Sequence, residues 1–407
     1  MRNVRSMVLA VMAFWMAACG DDATGPIESL PRALTAAERQ LVSSGNGFSF
    51  SLFRQVQAAT NAGANIFVSP LSVATALGMT LNGAAGETEA AIRSALGLDG
   101  LARDDINRSF RDLIALLEGL DGRVEFAIAN SIWAREGVVF DPQFLEVNRQ
   151  YFAARVEALD FSAPGAAATI NDWVDERTRG RIPTIVDDGL PPDLLLFVVN
   201  AIYFKGDWTR PFDAALTRGA PFALSSGDSV DVPTMTHGTA IEVRSGHSGG
   251  VQVLELPYAR GAFSMLVLAP DDPAALDAVA NALDPDAWEE WVSRLQDGEA
   301  MVYLPRFSFS FDVTLNDALD SLGMGLAFTG AADFTRVRPE GGLSISEVRH
   351  KAFVDVNEAG TEAAAATSTS IIDSGPAIIR IDRPFLFILR ERLTGTVLFL
   401  GRVMDPR

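Results

Sequence analysis

Gly246-His247-Ser248-Gly249-Gly250 is the stretch that most directly suggests catalysis. It satisfies G-x-S-x-G, the turn that exposes the nucleophilic serine of many hydrolases. His350 lies downstream as a candidate base, and carboxylates are plentiful. The pattern needs a strand before the serine and a helix after it. Val251-Gln-Val-Leu-Glu-Leu-Pro257 follows instead, alternating like a strand and ending in proline. We therefore read 246–250 as a turn between strands and keep a serine hydrolase using Ser248 as an alternative. Other reactive side chains are sparse. Three scattered histidines, His237, His247 and His350, and one cysteine, Cys19, provide no zinc framework, internal disulfide or Cys–His cluster. No phosphate-binding glycine loop is present. The expectation is a protein without metal or cofactor that is not an enzyme.

The second stretch with unusual chemistry is Glu358-Ala-Gly-Thr-Glu-Ala-Ala-Ala-Ala-Thr-Ser-Thr-Ser370. It holds no large apolar residue and no proline, and Gly360 is its one glycine. Four consecutive alanines favour helix, and the flanking Thr and Ser oppose it. By composition alone it is a surface loop or linker. As a strand it would alternate faces. If Thr361 points inward, so do Ala363, Ala365, Thr367, Thr369 and Ile371, all uncharged. Glu362, the only charge between Thr361 and Ser370, then falls on the opposite face. A charge on the inward face would cost several kcal/mol or shift its pKa strongly.

These segments need a scaffold, and the chain is long enough to build one. It has 407 residues, is 48% apolar and carries a net charge of 33 − 52 = −19. The acidic balance argues against nucleic acid as a partner. Arg2 and Arg5 precede an apolar run, Met7 to Ala18, too short to span a bilayer and of signal-peptide length. Small residues stand directly before Cys19, which resembles a bacterial lipoprotein signal with Cys19 as the lipidated residue. The expected organisation is a signal peptide over 1–18, a Pro/Gly/Asp/Thr-rich flexible tether over 19–35 and one domain over 36–407. The protein would be exported as a cell-envelope lipoprotein, periplasmic or on the surface, or otherwise secreted.

Within the domain, helical periodicity runs from Ala36 through Val56. Ser69-Pro70 is a cap followed by a first-turn proline, with Val73, Leu77 and Leu81 recurring behind it. Thr88 opens a further helix that Gly97 ends, and Ile170 to Val174 reads as helical. Phe197-Val-Val-Asn-Ala-Ile-Tyr-Phe204 is a continuous apolar run, predicted as a strand buried on both faces. Asn200 inside it must be fully hydrogen-bonded, by backbone or in a polar cluster. Strands are also predicted over Val251–Leu256, Phe263–Leu268, the alternating Phe307, Phe309 and Phe311, Phe385–Leu389 and Val397–Leu400, the last two around a turn at Thr394-Gly395. Helices come first and strands later, which predicts α+β.

The alanine-rich stretch resembles the reactive-centre loop hinge of the serpin family. Asn65-Ile-Phe-Val-Ser-Pro-Leu-Ser72 resembles the family's opening helix motif. Asn200-Ala-Ile-Tyr-Phe-Lys-Gly-Asp-Trp208 followed by Phe212 resembles its central strand and breach tryptophan. Val232-Pro233 with Met235, Glu255-Leu-Pro-Tyr258, Leu304-Pro-Arg-Phe307, Ala332-Asp-Phe334, His350-Lys-Ala, Arg383-Pro-Phe-Leu-Phe387 and Gly401-Arg-Val fall in the family's order. The resemblance covers about Ala36 to Arg407.

What it implies is an α+β serpin fold: helices packed around three β-sheets, with an exposed loop over about 358–381. The implied function is irreversible suicide inhibition of serine proteases, and also of cysteine proteases. In that mechanism the cleaved loop inserts into the main sheet as an added strand, releasing stored strain, and traps the acyl-enzyme. Glu358, Gly360, Thr361, Glu362, Ala363, Ala364, Ala365 and Ala366 resemble the hinge. Ser69, Ser72, Asn200 and His350 resemble the shutter beneath the sheet, and Trp208 the breach. Fourteen residues forward from Gly360 places the bait bond at Ser374–Gly375; eleven back from Pro384 places it at Asp373–Ser374. Ile372 is a further possibility. Ser favours elastase- or subtilisin-like targets, Asp an Asp-directed protease, and the absence of Arg or Lys disfavours trypsin-like ones. The protein would be a monomer, touching a membrane only through its N-terminal lipid. A non-inhibitory binding protein on the same fold is the other alternative.

Overall fold

In the computed structural model the residues described are 25–186, 189–191, 194–361 and 377–407. Their elements are α1 (Ala36–Ala59), β1 (Ile66–Val68), α2 (Pro70–Leu81), α3 (Gly86–Ala95), α4 (Arg103–Leu120), β2 (Val124–Arg135), α5 (Pro142–Phe152), β3 (Arg155–Leu159), α6 (Ala166–Arg177) and β4 (Leu196–Asp207). They continue with β5 (Arg218–Ala223), β6 (Ser229–Thr236), β7 (Ile241–Ser248), β8 (Val251–Tyr258), β9 (Phe263–Pro270), α7 (Leu276–Asn281), α8 (Pro285–Ser293), β10 (Gln296–Pro305) and β11 (Phe307–Thr314). Last come α9 (Asn316–Leu319), β12 (Arg349–Val356), β13 (Gly360–Thr361), β14 (Ala377–Arg380), β15 (Phe385–Glu391) and β16 (Val397–Val403).

Local sequence explains several boundaries. The Thr35 side chain and Glu38 form a reciprocal capping box that starts α1. Ser69 caps α2 by accepting from the Ser72 N–H, with Pro70 in the first turn. Gly97, at φ +65°, turns the chain out of α3.

One sheet has the order β11-β12-β13-β4-β2-β3. The other has the order β1-β16-β15-β9-β8-β7-β10-β6-β5, with β14 beside β10. The α+β class holds, with one difference from the three sheets that the resemblance implies. The first half of β10 pairs with β7 from Gln296 to Ala300, and its end pairs with β6 from Tyr303 to Pro305. This one strand hydrogen-bonds two sheets into a single ten-stranded network.

β4 is covered on both faces, as its continuous apolar run predicts. Ile202 and Phe204 join the main core, whereas Val199 and Ala201 pack with Ile170, Trp173 and Val174 of α6 in a second cluster. The segment expected to be a flexible tether is, from residue 25, laid on the domain. The Ile27 N–H donates to Arg260 O at 2.9 Å, the Arg260 side chain donates to Gly25 O at 2.8 Å, and Arg32 pairs with Glu38 at 2.5 Å. Backbone and ion-pair partners thus fix 25–35, although its composition favours a free chain. No described helix is long and apolar enough to cross a membrane.

Candidate functional site

The site lies where β4 and β12 run side by side. β13 bridges them: Gly360 pairs with Asp207, and Thr361 pairs with Gly206 on one side and Val356 on the other. Among the described residues no ladder joins β4 to β12 beyond Thr361, which leaves a slot between the two strands. A cavity of about 30 Å³ opens just past Thr361, lined by Phe204, Val354 and Ile182 among others. Farther down, a cavity of about 390 Å³ lies between the first half of β4 and the segment 342–350. Val198, Asn200, Leu343, Val348 and His350 line it.

Several groups hold the mouth of the slot. Trp208 stacks on Tyr258 with ring centroids 4.5 Å apart, and its Nε1–H donates to Asn357 O at 3.0 Å. Its backbone N–H donates to Ala359 O at 2.8 Å. The Tyr258 hydroxyl bonds the Thr361 hydroxyl at 2.8 Å, and burial pushes the Tyr258 pKa up, so it stays protonated. Thr361 is 6% exposed and faces the core, the orientation assumed in the alternation argument. Glu358 accepts from the Thr217 hydroxyl at 2.7 Å and lies 3.8 Å from Arg306. Gly360 is needed sterically: a Cβ there would sit 2.2 Å from Gly206 O.

Beneath the slot the structure brings Ser69, Ser72, Asn200 and His350 into one polar chain. His350 Nε2 accepts from the Ser69 N–H at 3.1 Å, and the Ser69 hydroxyl donates to Leu398 O at 2.8 Å. The Ser72 hydroxyl donates to Asn200 Oδ1, whose amide donates to Asn130 Oδ1. Asn130 in turn donates to Phe152 O at 2.7 Å. Asn200 therefore meets a cluster, not backbone alone. Burial lowers the His350 pKa to about 4, against a smaller opposing pull from Asp312. The ring is neutral at pH 7 and serves as an acceptor.

The serpin (serine protease inhibitor) family model matches residues 43–406. Neuroserpin of Rattus norvegicus is 34% identical over 359 residues, 86% of this chain and 88% of that protein. Leukocyte elastase inhibitor of Sus scrofa is 35% identical over 385 residues, 90% of this chain and all of that protein. Among solved structures, human thyroxine-binding globulin aligns with a TM-score of 0.83 at 30% identity, covering 91% of this chain and 100% of that one. The chain belongs to the serpin family.

Serpins are generally inhibitors of proteases, not catalysts, and the hydrolase alternative finds no elbow in this serpin. Ser248 ends β7 and the hairpin partner β8 begins at Val251, so strand, not helix, follows the serine. The Ser248 hydroxyl accepts from Arg294, while the adjacent His247 bonds Asp271 at 2.9 Å. His350 is buried elsewhere, on Ser69.

Cys19, Glu362, Ala363, Ala364, Ala365, Ala366, Asp373, Ser374 and Gly375 lie outside the described residues. Sequence reasoning missed Asn130 and Asn357. Asn130 carries the signal that exposed Asn200, a lone amide in an apolar strand, but Ala127, Ala129 and Ser131 dilute the run around it.

Proposed function

We propose that this serpin inhibits serine proteases by the conformational trap, with Ser374–Gly375 as the bait bond and Asp373–Ser374 as the alternative. The observation that carries the reading is the register of β13 between β4 and β12, with Thr361 facing inward. Carried down the slot, that register sets Ala363 between Phe204 and Val354, and Ala365 between Ile202 and Ala352. Thr367 arrives between Asn200 and His350, at the polar chain. The inward residues are uncharged, so none carries the penalty of a buried charge. Glu362 falls on the other face, between Lys205 and Asp355. In this reading Glu358, Gly360 and Thr361 are the hinge, Trp208 guards the breach, and Ser69, Ser72, Asn200 and His350 rearrange as the sheet opens.

Elastase- or subtilisin-like enzymes suit a small bait residue, and the relationship to a leukocyte elastase inhibitor supports that class. We further propose that the chain is exported, lipidated at Cys19 and monomeric. The full-length protein should be mixed with elastase, subtilisin, chymotrypsin, trypsin and an Asp-directed protease. A covalent band stable to denaturant, with a released peptide starting at Gly375, is the expected result; a start at Ser374 moves the bait to Asp373. Clean cleavage without a covalent band from any protease overturns the proposal in favour of a non-inhibitory member.

A further inference from the structure

The turn after α6 lies across the slot and touches both of its walls. α6 ends at Arg177, and the turn that follows is tightly fixed. The Thr178 hydroxyl donates to Val174 O at 2.8 Å and accepts from the Ile182 N–H at 3.0 Å. The Gly180 N–H donates to Asp175 O at 2.8 Å, with Arg179 and Gly180 both at positive φ. Thr178 and Ile182 are buried, and both line the cavity just past Thr361.

Two guanidinium groups project from this turn onto different strands. Arg179 lies 5.2 Å from the ring centroid of Tyr203 on β4 and pairs with Glu125 of β2. Arg181 lies 5.3 Å from the ring centroid of Phe353 on β12. Tyr203 and Phe353 alternate with the core-facing Phe204, Ile202, Val354 and Ala352, so they occupy the outer face. One rigid turn thus holds both edges of the slot.

We propose that Arg179 and Arg181 are positioning residues, a two-pronged latch whose release sets how fast the sheet accepts a strand. The inference rests on the insertion reading given above. The β13 register sets Ala364 directly between Tyr203 and Phe353, under the turn. An incoming strand therefore pushes apart the two rings that the arginines hold. Cation–π contacts need a cation over a ring, so an apolar replacement at either member removes the hold while leaving the turn's own hydrogen bonds intact.

The test uses the full-length, uncut protein and a synthetic peptide with the sequence of residues 361–372. Annealing is followed by the appearance of a more heat-stable form. Arg179→Leu and Arg181→Leu should each speed annealing about two- to fivefold, and the double variant about tenfold. Phe353→Leu should speed it like Arg181→Leu, and combining these two should add nothing. Arg181→Lys should restore most of the wild-type rate. A merely structural role would lower stability without this non-additivity or rescue. Variants that anneal at the wild-type rate or slower overturn the latch and leave the trap standing. A wild-type protein and double variant that both fail to anneal overturn insertion, and the latch with it.

Discussion

Lowering the pH from 7 to 5 should loosen this serpin through His350. The imidazole is buried and accepts from the Ser69 N–H, so protonation would set two donors face to face. Its folded pKa is about 4 against an ordinary 6.5. A histidine with a depressed folded pKa contributes stability above pH 6.5 and loses it as pH falls from 6.5 towards 4. Between pH 7 and pH 5 the loss from this one group is about 2 kcal/mol. Asp312 opposes the shift, and Arg349 and Lys351 hold that carboxylate below its usual range, so it stays ionised throughout the window. The assay is urea unfolding followed by tryptophan fluorescence at pH 7, 6 and 5, reading the first transition. His350→Gln keeps an acceptor for the Ser69 N–H and removes the titration. The wild type should lose about 2 kcal/mol more than the variant over that range. Equal losses in both proteins would refute the assignment.

Thr361→Arg would set a charge on the inward face at the first step of insertion, where the native side chain is 6% exposed. If the proposed trap operates, this variant should be cleaved as a substrate: on gels, cleaved chain should replace the covalent complex by tenfold or more. Trp208→Phe would keep an aromatic stack on Tyr258 and delete the bond to Asn357 O. Denaturant melts should show a loss of about 1–2 kcal/mol. Asn200→Ala would leave the Ser72 hydroxyl and the Asn130 carbonyl oxygen without their present partner. The expected cost is about 1–3 kcal/mol in the same melts, with no change in the position of the bait bond.

Much of this site was legible because its signals are local. Ser69-Pro70 announces α2, the apolar run around Asn200 announces β4, and the inward orientation assumed for Thr361 is the one it has. What stayed hidden is long-range. β2 has a mixed pattern, since Ala127, Ala129, Asn130 and Ser131 interrupt its larger apolar residues. Its identity as a strand comes from eleven consecutive pairings with β4, which lies some sixty residues on. The merging of two sheets through β10 likewise depends on which partners one strand finds. Arg179 and Arg181 read as ordinary surface charges until Tyr203 and Phe353, from distant parts of the chain, appear beneath them.

The far end of the loop limits how far an uncut chain could enter the slot. β14 begins at Ala377 and pairs with β10 in the other sheet, and Arg306, directly after β10, reaches Glu358 at the slot's mouth. Ten residues inserted after Thr361 would carry Ile371 about 34 Å down the slot. Residues 372–376 would then have to climb back to Ala377, and fully extended they reach about 20 Å. Full insertion therefore requires a cut in that span or the release of β14. The hold of β14 is weak enough to test. It has four residues, Ala377 and Ile378 are exposed, and its anchors are the buried Ile379 and the guanidinium of Arg380, 4.0 Å from the Tyr303 ring centroid. Ile379→Ala removes about 2–4 kcal/mol of core packing from that short strand. On incubation at 37 °C this variant should lose inhibition with its chain uncut, while its Tm rises as the intact loop enters the slot. If it keeps full activity and an unchanged Tm, or loses activity only by unfolding, the restraint does not lie in β14.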